Sequence, residues 1–470
     1  MNNLVTILYI IAFSMFIYGL MGLTGPKTAV RGNYIAGWGM VLAIVATLID
    51  IRDTNNWWII IAGLVVGCVL GIPPALRTKM TAVPQLVAMF NGVGGGTVAL
   101  IAWSEFVTSS GFSNLDDTPN VHIIVGSLFA AIIGSISFWG SVIAFAKLQE
   151  LIGGHSISFG RAQQPLNALL LIAAIAFSVV IGIGAGTGGV SQWWIVGVLV
   201  AAGVLGLMVV LPIGGADMPV VISLLNALTG LSAAAAGLAL NNTAMIVAGM
   251  IVGASGTILT NLMAKAMNRS IISIVAGGFG GGSGEAGPAS ASGGTVKATS
   301  AADAAIQMAY ANQVIVVPGY GMAVAQAQHA VKEMAGMLEA KGVEVKYAIH
   351  PVAGRMPGHM NVLLAEAEVS YDALKEMDDI NGEFGRTDVV LVIGANDVTN
   401  PAARSDPNSP IFGMPILNVD QAKSVIVLKR SMSSGFAGID NPLFTATGTS
   451  MLFGDAKKSV GEVTEELKAL

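Results

Sequence analysis

The sequence predicts two parts in one chain: a polytopic α-helical membrane bundle of about nine spans, then an α/β domain with a Rossmann-like, doubly wound parallel sheet. Three observations carry that reading. The 470 residues are 54% hydrophobic and only 11% charged, with mean hydropathy +0.72, whereas about 25% of a soluble domain is charged. The charge is also uneven. Residues 1–264 hold little of it and most acidic residues lie beyond Glu285, which marks two domains. The third is Val314-Ile-Val-Val-Pro-Gly-Tyr-Gly-Met-Ala-Val324. A β-branched run ends at Pro318, two glycines follow, and a helical pattern begins. Strand, tight turn and helix in that order let backbone approach a pyrophosphate, with free N–H groups at the helix start.

A bilayer span needs about 20 apolar residues. The candidates are 4–24, 33–50, 57–72, 82–104, 121–147, 166–186, 191–212, 217–240 and 243–264. The third is short, and only Asn241-Asn242 divides the last two. The first lacks a basic leader and a cleavage site, and it exceeds the roughly 7–15 apolar residues of a signal-peptide core. It is expected to remain as a span. One set of alternate loops carries Lys27, Arg31, Arg77, Lys79, Lys147, Arg161, Lys265 and Arg269. The other carries Arg52 beside Asp50 and Asp53, plus Glu105, Asp116 and Asp117. Lysine and arginine favour the cytoplasm, so the N-terminus is expected outside and the C-terminal domain in the cytoplasm.

Glycines recur every four residues at Gly63-Gly67-Gly71, Gly92-Gly96 and Gly249-Gly253, a spacing that lets helix backbones approach. Asn91-Gly-Val-Gly-Gly-Gly96 is richer in glycine than packing needs and reads as a place where a helix bends or slides. No acid, base or histidine falls near the middle of a span. Such groups mark ion paths because each costs roughly 2.5–3.5 kcal/mol at the bilayer centre. The mid-span polar residues are Asn91, Ser135, Ser137, Asn226, Thr229 and Ser255, and the two asparagines fit either interhelical hydrogen bonds or a water-lined path. Asparagine holds no titrating proton, so a proton path here would need a titrating group from a partner chain. Asp217 stands at the cytoplasmic start of a span, and His122 and Glu105 near the outer face. The one cysteine, Cys68, reads as a small buried hydrophobe, and a single thiol excludes an intrachain disulfide or cysteine metal site. The net charge of −5 gives no reason to expect nucleic acid.

Residues 277–294, Gly-Gly-Phe-Gly-Gly-Gly-Ser-Gly-Glu-Ala-Gly-Pro-Ala-Ser-Ala-Ser-Gly-Gly, read as a flexible tether. Beyond it, strand and helix alternate. Strand 314–318 leads to a helix at about 322–340, which Gly342 stops. Strand 343–349 follows, then a helix at 370–380, strands at 389–393, 415–419 and 424–428, and a last helix at about 455–469. The glycine fingerprint alone is weak, because Val324 replaces its third glycine. The second strand ends in His350, where an Asp or Glu would hold the ribose of NAD. Lys429-Arg430-Ser431 at a strand end offers two cations and a hydroxyl, which suits a 2′-phosphate and equally an exposed basic pair. Gly394-Ala-Asn-Asp397 lies at another strand end, where such sheets bind ligands; Asp397 could instead cap a turn. Arg355 could face a pyrophosphate or a partner surface. Pro401–Pro415 is a long proline-studded loop that could cover a ligand.

Taken together these pieces resemble the β subunit of the proton-translocating NAD(P) transhydrogenases. The match spans essentially the whole chain: Gly214-Gly-Ala-Asp-Met-Pro-Val220, Met267-Asn-Arg-Ser270, Val317-Pro-Gly-Tyr-Gly-Met-Ala-Val324, His350-Pro-Val-Ala-Gly-Arg355, Gly394-Ala-Asn-Asp397, Lys429-Arg-Ser-Met432 and Asn441-Pro-Leu-Phe444. The resemblance implies a proton-translocating membrane domain at 1–264, a hinge and Gly/Ser-rich linker at 265–300 and an NADP(H)-binding domain at 301–470. It implies cofactor contacts from Gly319, Tyr320, Gly321, Met322, Ala323, Val324, Arg355, Gly394, Asn396, Asp397, Lys429, Arg430 and Ser431. Lys429 and Arg430 would hold the 2′-phosphate, Asp397 would lie near the nicotinamide, and the cofactor would run in reverse of the usual orientation. Asn91, Asp217, Asn226, Arg269 and Ser270 are the implied proton-path or coupling positions. Some members carry a proton-binding histidine where this chain has Asn91, so the chain resembles the subgroup whose histidine lies on a partner span. Phe436 stands where some members have tyrosine.

Hydride transfer between NAD(H) and NADP(H) needs two dinucleotide sites, and only one fingerprint is present. The resemblance therefore implies α-type partners carrying the NAD(H) domain and further spans, in a dimer of the assembled complex within the cytoplasmic (inner) membrane. No side chain needs to act as acid, base or nucleophile, because the cofactors exchange hydride directly. The competing class is an ion or solute transporter gated by a cytosolic dinucleotide sensor. It expects a polar path within this chain, which the spans do not offer. A scaffold with an incidental nucleotide fold leaves the basic pair unexplained.

Overall fold

The computed structural model describes residues 2–470 apart from 24, 114–120, 153–156, 186–189, 215–216, 268–269, 276–294, 356–357, 408, 410 and 436. The expected tether at 277–294, Arg269 and Phe436 lie outside the described residues. The rest falls into two compact units, one with most of the apolar helices and one with the sheet.

Among the described residues nine helices are long and apolar enough to cross a membrane. They are α1 Asn2–Gly22, α2 Pro26–Asp50, α3 Trp57–Arg77, α4 Val83–Thr108, α5 Val121–Leu148, α6 Gln163–Gly184, α7 Gln192–Val210, α8 Met218–Ala239 and α9 Thr243–Ala266. Each predicted span is present. The third is longer than predicted, because α3 continues through Pro73 and Pro74 to Arg77.

Helix α5 is the hub, packed against α4, α6 and α7. Its approach to α4 is backbone on backbone. A Cβ on Gly95 would lie 2.9 Å from the Gly134 carbonyl oxygen, and one on Gly134 would lie 2.7 Å from that of Gly95. Helix α4 stays unbroken through Asn91–Gly96, and Gly95 within that run serves the crossing. Gly63, Gly67 and Gly71 behave differently from the expected packing stripe. A Cβ on any of them would meet nothing within 4 Å, and α3 has no buried residue. Cys68 on that helix is exposed rather than buried.

The second unit is built on six parallel strands: β1 Gln313–Pro318, β2 Glu344–Ile349, β3 Leu374–Glu376, β4 Val389–Ile393, β5 Ser424–Lys429 and β6 Thr449–Phe453. Their order is β3-β2-β1-β4-β5-β6, so the direction of winding reverses between β1 and β4. Val316 stands beside Tyr347 on one side and Leu391 on the other. Alternate residues feed two cores, as strands covered on both faces require. Val314, Val316, Leu391, Ile393, Ile426 and Leu428 point to one, and Ile315, Val317, Val390, Val392, Val425 and Val427 to the other.

The first core is roofed by α11 Ala301–Ala309, α12 Tyr320–Val324, α13 Gln328–Ala340, α14 His359–Glu366 and α17 Ala456–Ala469. The second is covered by α15 Met377–Ile380, short 3-10 turns and loop, including Phe384, Leu417, Val419 and Leu443. Helix α10, Ile271–Val275, precedes the sheet in the chain, and α16, Ala402–Ser405, lies between β4 and β5.

Three expectations are corrected. The helix at 322–340 is two helices, because Gln326 takes a left-handed φ of +52° and ends α12 after one turn. The expected helix at 370–380 is a 3-10 turn, the edge strand β3 and then α15. The segment at 415–419 is not a strand. Leu417 and Val419 are buried as a strand's would be, but the Leu417 N–H donates to Val398 and the Asn418 N–H to the Asn381 side chain. The sixth strand is instead Thr449–Phe453. Residues 297–299 run along it, with Thr299 donating to Met451 and Met451 to Lys297, which covers that sheet edge.

Candidate functional site

Four loops converge at the carboxyl ends of β1, β2, β4 and β5, which is where the reversal in strand order leaves a crevice. The loops after β1 and β4 touch directly. The N–H of Gly319 donates to Ile393 at 2.9 Å and that of Gly321 to Gly394 at 3.0 Å. A Cβ on Gly319 would lie 2.4 Å from the Ala395 nitrogen, and one on Gly394, whose φ is +63°, would lie 2.4 Å from the Gly321 Cα. These glycines therefore let the turns after β1 and β4 cross. Two of the N–H groups expected to face a phosphate are engaged in that crossing. Met322 and Ala323 bury their side chains in the core while Val324 is on the surface, so any contact from the first two comes from backbone.

The loop after β2 is held by two buried histidines. His350 accepts the Val352 N–H at Nδ1 (3.2 Å) and pairs through Nε2 with the Pro415 carbonyl at 2.8 Å. This fixes a neutral ring with its proton on Nε2. Burial draws its pKa down to about 4, against a smaller upward pull from that carbonyl. His350 thus ties the β2 loop to the end of the proline-rich loop. His359 accepts the Arg355 N–H at Nδ1, 3.0 Å away, and burial followed by the Arg355 charge lowers its pKa to about 4. The Arg355 guanidinium lies over the Tyr320 ring, 4.6 Å from its centre, which brings a cation to the glycine turn.

The proline-rich loop is less free than a simple lid. It contains α16 and has its own small core of Ala403, Ile411, Met414 and Ile416. Asn381 donates to the Ile416 carbonyl at 3.0 Å, and Gly413 to Ala403 at 2.8 Å.

After β4, Asp397 reaches the loop that follows β5. Its Oδ2 accepts the Ala437 N–H at 3.0 Å, joining the β4 loop to the one after β5. Asn396 receives the Asn441 amide on both its backbone and side-chain oxygens, at 3.1 Å each. Its own Nδ2 is buried without a partner among the described residues. Lys429 ends β5 half-buried, donates to the Ser433 carbonyl and sits over the Phe444 ring at 4.8 Å. Burial draws its ammonium below the ordinary value, while Asp397 pulls the other way. Arg430 and Ser431 are exposed. Between these loops lies a cavity of about 220 Å³, lined among others by Asn396, Ser433, Ser434, Asn441 and Phe444. Its volume suits part of a dinucleotide rather than the whole. The Asn396 amide in its lining, the Ser433 and Ser434 hydroxyls, and Lys429 over the Phe444 ring fit the phosphate and ribose of a nucleotide. Sequence reasoning named Asn396, Asp397 and Lys429 but assigned no role to Asn441 or Phe444, which occur only inside a quoted motif.

In the helical unit, Asn91 donates to the Ser141 hydroxyl at 2.9 Å, and its Oδ1 is buried without a partner among the described residues. Ser137, one turn before Ser141 on α5, bonds Thr229 of α8 at 2.5 Å. These residues form one polar seam between α4, α5 and α8. Asn226 is half-buried three residues before Thr229, the spacing of a shared helix face. Asp217 is half-buried beside the start of α8, and Ser270 is exposed before α10. Lys147, expected in a loop, is instead buried in α5 and donates to the Leu211 and Ile213 carbonyls beyond α7.

The chain matches the family described as NAD(P) transhydrogenase beta subunit over residues 5–466. Two similar proteins, both named NAD(P) transhydrogenase subunit beta and both from Rhodospirillum rubrum, are 48% identical over 469 residues. The alignments cover 99% of this chain and 99% of each relative.

Proposed function

The chain belongs to the NAD(P) transhydrogenase beta subunit family, and from that premise we propose that it couples hydride transfer from NADH to NADP⁺ to inward proton translocation. It is a multi-pass membrane subunit of an oxidoreductase. In our reading, residues 1–264 carry the proton, 265–300 form hinge and linker, and 301–470 bind NADP(H) on the cytoplasmic side of the inner membrane. An α-type partner brings NAD(H), and the assembled complex is a dimer.

The observation that supports the cofactor assignment is the junction of the β4 and β5 loops, where Asn396 and Phe444 line one cavity, Lys429 lies over the Phe444 ring and Asp397 accepts the Ala437 N–H. NADP(H) supplies the hydride chemistry when bound. Lys429, Arg430 and Ser431 would hold its 2′-phosphate, the Asn396 amide would donate to it, and Arg355 at the glycine turn would face its diphosphate. His350, bonded inward to Pro415, offers no carboxylate to a free ribose, which disfavours NAD here. The chain's work is to bind, orient and exclude water, so the rate depends on placement rather than on an acid or base. The polar seam of Asn91, Ser141, Ser137 and Thr229 is our candidate proton route, completed by a titrating partner residue. Asp217, Asn226, Arg269 and Ser270 are the candidate coupling positions.

The decisive experiment titrates a fragment covering residues 295–470 with NADP and NAD separately. We expect strong preference for NADP, and a loss on the order of 100-fold when Lys429→Ala and Arg430→Ala are combined, since hydrogen bonds to charged groups contribute about 1.5–3 kcal/mol each. Equal affinity for the two cofactors, or preference for NAD, overturns the assignment and favours a sensor-gated transporter.

A further inference from the structure

His359 is completely buried at the first position of α14. Its ring has one bonded nitrogen, Nδ1, which accepts the Arg355 N–H at 3.0 Å. Its other nitrogen, Nε2, is buried without a partner among the described residues. An unsatisfied buried donor costs about 1–3 kcal/mol. Phenylalanine would fill similar space without that cost. What the imidazole adds is therefore the acceptor for Arg355.

The backbone around that bond is built for it. Gly354 has φ +105°, and a Cβ there would lie 2.4 Å from His359 Nδ1. The left-handed glycine thus turns the chain against the ring and aims the next N–H at it. On the far side, the rings of His359 and Tyr320 lie 6.4 Å apart, and the Arg355 guanidinium covers the Tyr320 ring. Tyr320 itself sits between Gly319 and Gly321 at the end of β1. One histidine thereby fixes the main chain of Arg355, while the tyrosine of the glycine turn receives its cation.

We propose that His359 is a positioning residue that sets Arg355 at the glycine turn and, through Arg355 alone, sets the affinity for the diphosphate of NADP(H). This rests on the reading that Arg355 faces that diphosphate. The test uses the detergent-purified αβ complex, with NADPH binding read by its fluorescence and KM measured for each cofactor. His359→Phe should weaken NADPH about tenfold, the order expected for a misplaced charge-assisted contact, and leave the KM for the NAD(H) side unchanged. His359→Asn, whose amide oxygen replaces Nδ1, should restore most of the affinity. With Arg355→Ala already present, His359→Phe should add less than about a twofold change. Equal losses in the Phe and Asn variants, or a full additional loss on the Arg355→Ala background, overturn the proposal. If Arg355→Ala itself leaves NADPH affinity unchanged, the reading of Arg355 fails first, and the positioning role falls with it.

Discussion

Gly394 decides how the site is built. With φ +63° and a Cβ that would lie 2.4 Å from the Gly321 backbone, it tolerates no side chain without moving the β1 turn. Gly394→Ala should cost about 2–4 kcal/mol through backbone strain and overpacking. A fall in the melting temperature of the 295–470 fragment, with NADP affinity lost in parallel, is the expected result. Unchanged melting would mean the two turns do not need to touch. His350 and His359 make a second prediction at this scale. Both are drawn to about 4 by burial, below their unfolded value near 6.5. A base with a lowered folded pKa contributes stability that is present above the unfolded pKa and is lost as pH falls toward the folded one. Each should lose up to about 3 kcal/mol between pH 6.5 and 4. Glu383, pushed up by partial burial but held down to about 2 by Lys346, Gln313 and Arg386, adds a further loss below about pH 4.5. Thermal unfolding of the fragment at pH 7 and pH 4.5 measures the histidine step. A flat profile across that interval would exclude it, and His350→Gln should remove about half the slope.

Elements were legible wherever the hydrophobic period was long and clean. The nine spans read directly because lipid leaves a helix no external partner for its backbone, so length and apolarity suffice. Strands β1, β4 and β5 read as well, since both faces of a parallel strand are buried and the run is continuously apolar. What failed was short or held by side chains. Gln326 breaks α12 from α13 by a local left-handed turn, with its amide on the Ala323 carbonyl, and no periodicity announces that. The 415–419 run imitates a strand because its alternate residues are buried, yet it hydrogen-bonds to Asn381 and Val398. The basic pair Lys429–Arg430 was visible as charge at a strand end, whereas the Asp397 bond to Ala437 needed the fold. Lys147 was missed for a related reason: it lies in the last turn of α5 but its ammonium reaches across to α7's exit. Lysine there satisfies carbonyls that a helix C-terminus leaves open. Lys147→Met should lower the stability of the helical unit by roughly 1–3 kcal/mol, read as a lower melting temperature of the detergent-purified chain. A variant that melts at the parental temperature would assign those carbonyls to other donors.

At the scale of the whole molecule, the proposed coupling has a proton crossing one unit change affinity in the other. Linkage makes the effect reciprocal: if proton transfer shifts NADP(H) binding, NADP(H) occupancy must shift proton affinity by the same factor. The available energy bounds the effect. At an assumed membrane potential of ~150 mV one charge carries roughly 3.5 kcal/mol, and at about 1.4 kcal/mol per decade that moves a product ratio about 300-fold. A conformational switch needs differential affinity of about this size to turn a minor state into the major one. One proton per hydride is therefore enough to drive NADPH well beyond the dehydrogenase equilibrium. Vesicles carrying the αβ complex, energised and supplied with NADH and NADP⁺, should raise the NADPH ratio by up to that factor. An uncoupler should return it to the unenergised value within the lifetime of the gradient. A ratio indifferent to the uncoupler would leave hydride transfer intact and remove the proton from the mechanism, and the polar seam of Asn91, Ser141, Ser137 and Thr229 would then be packing alone.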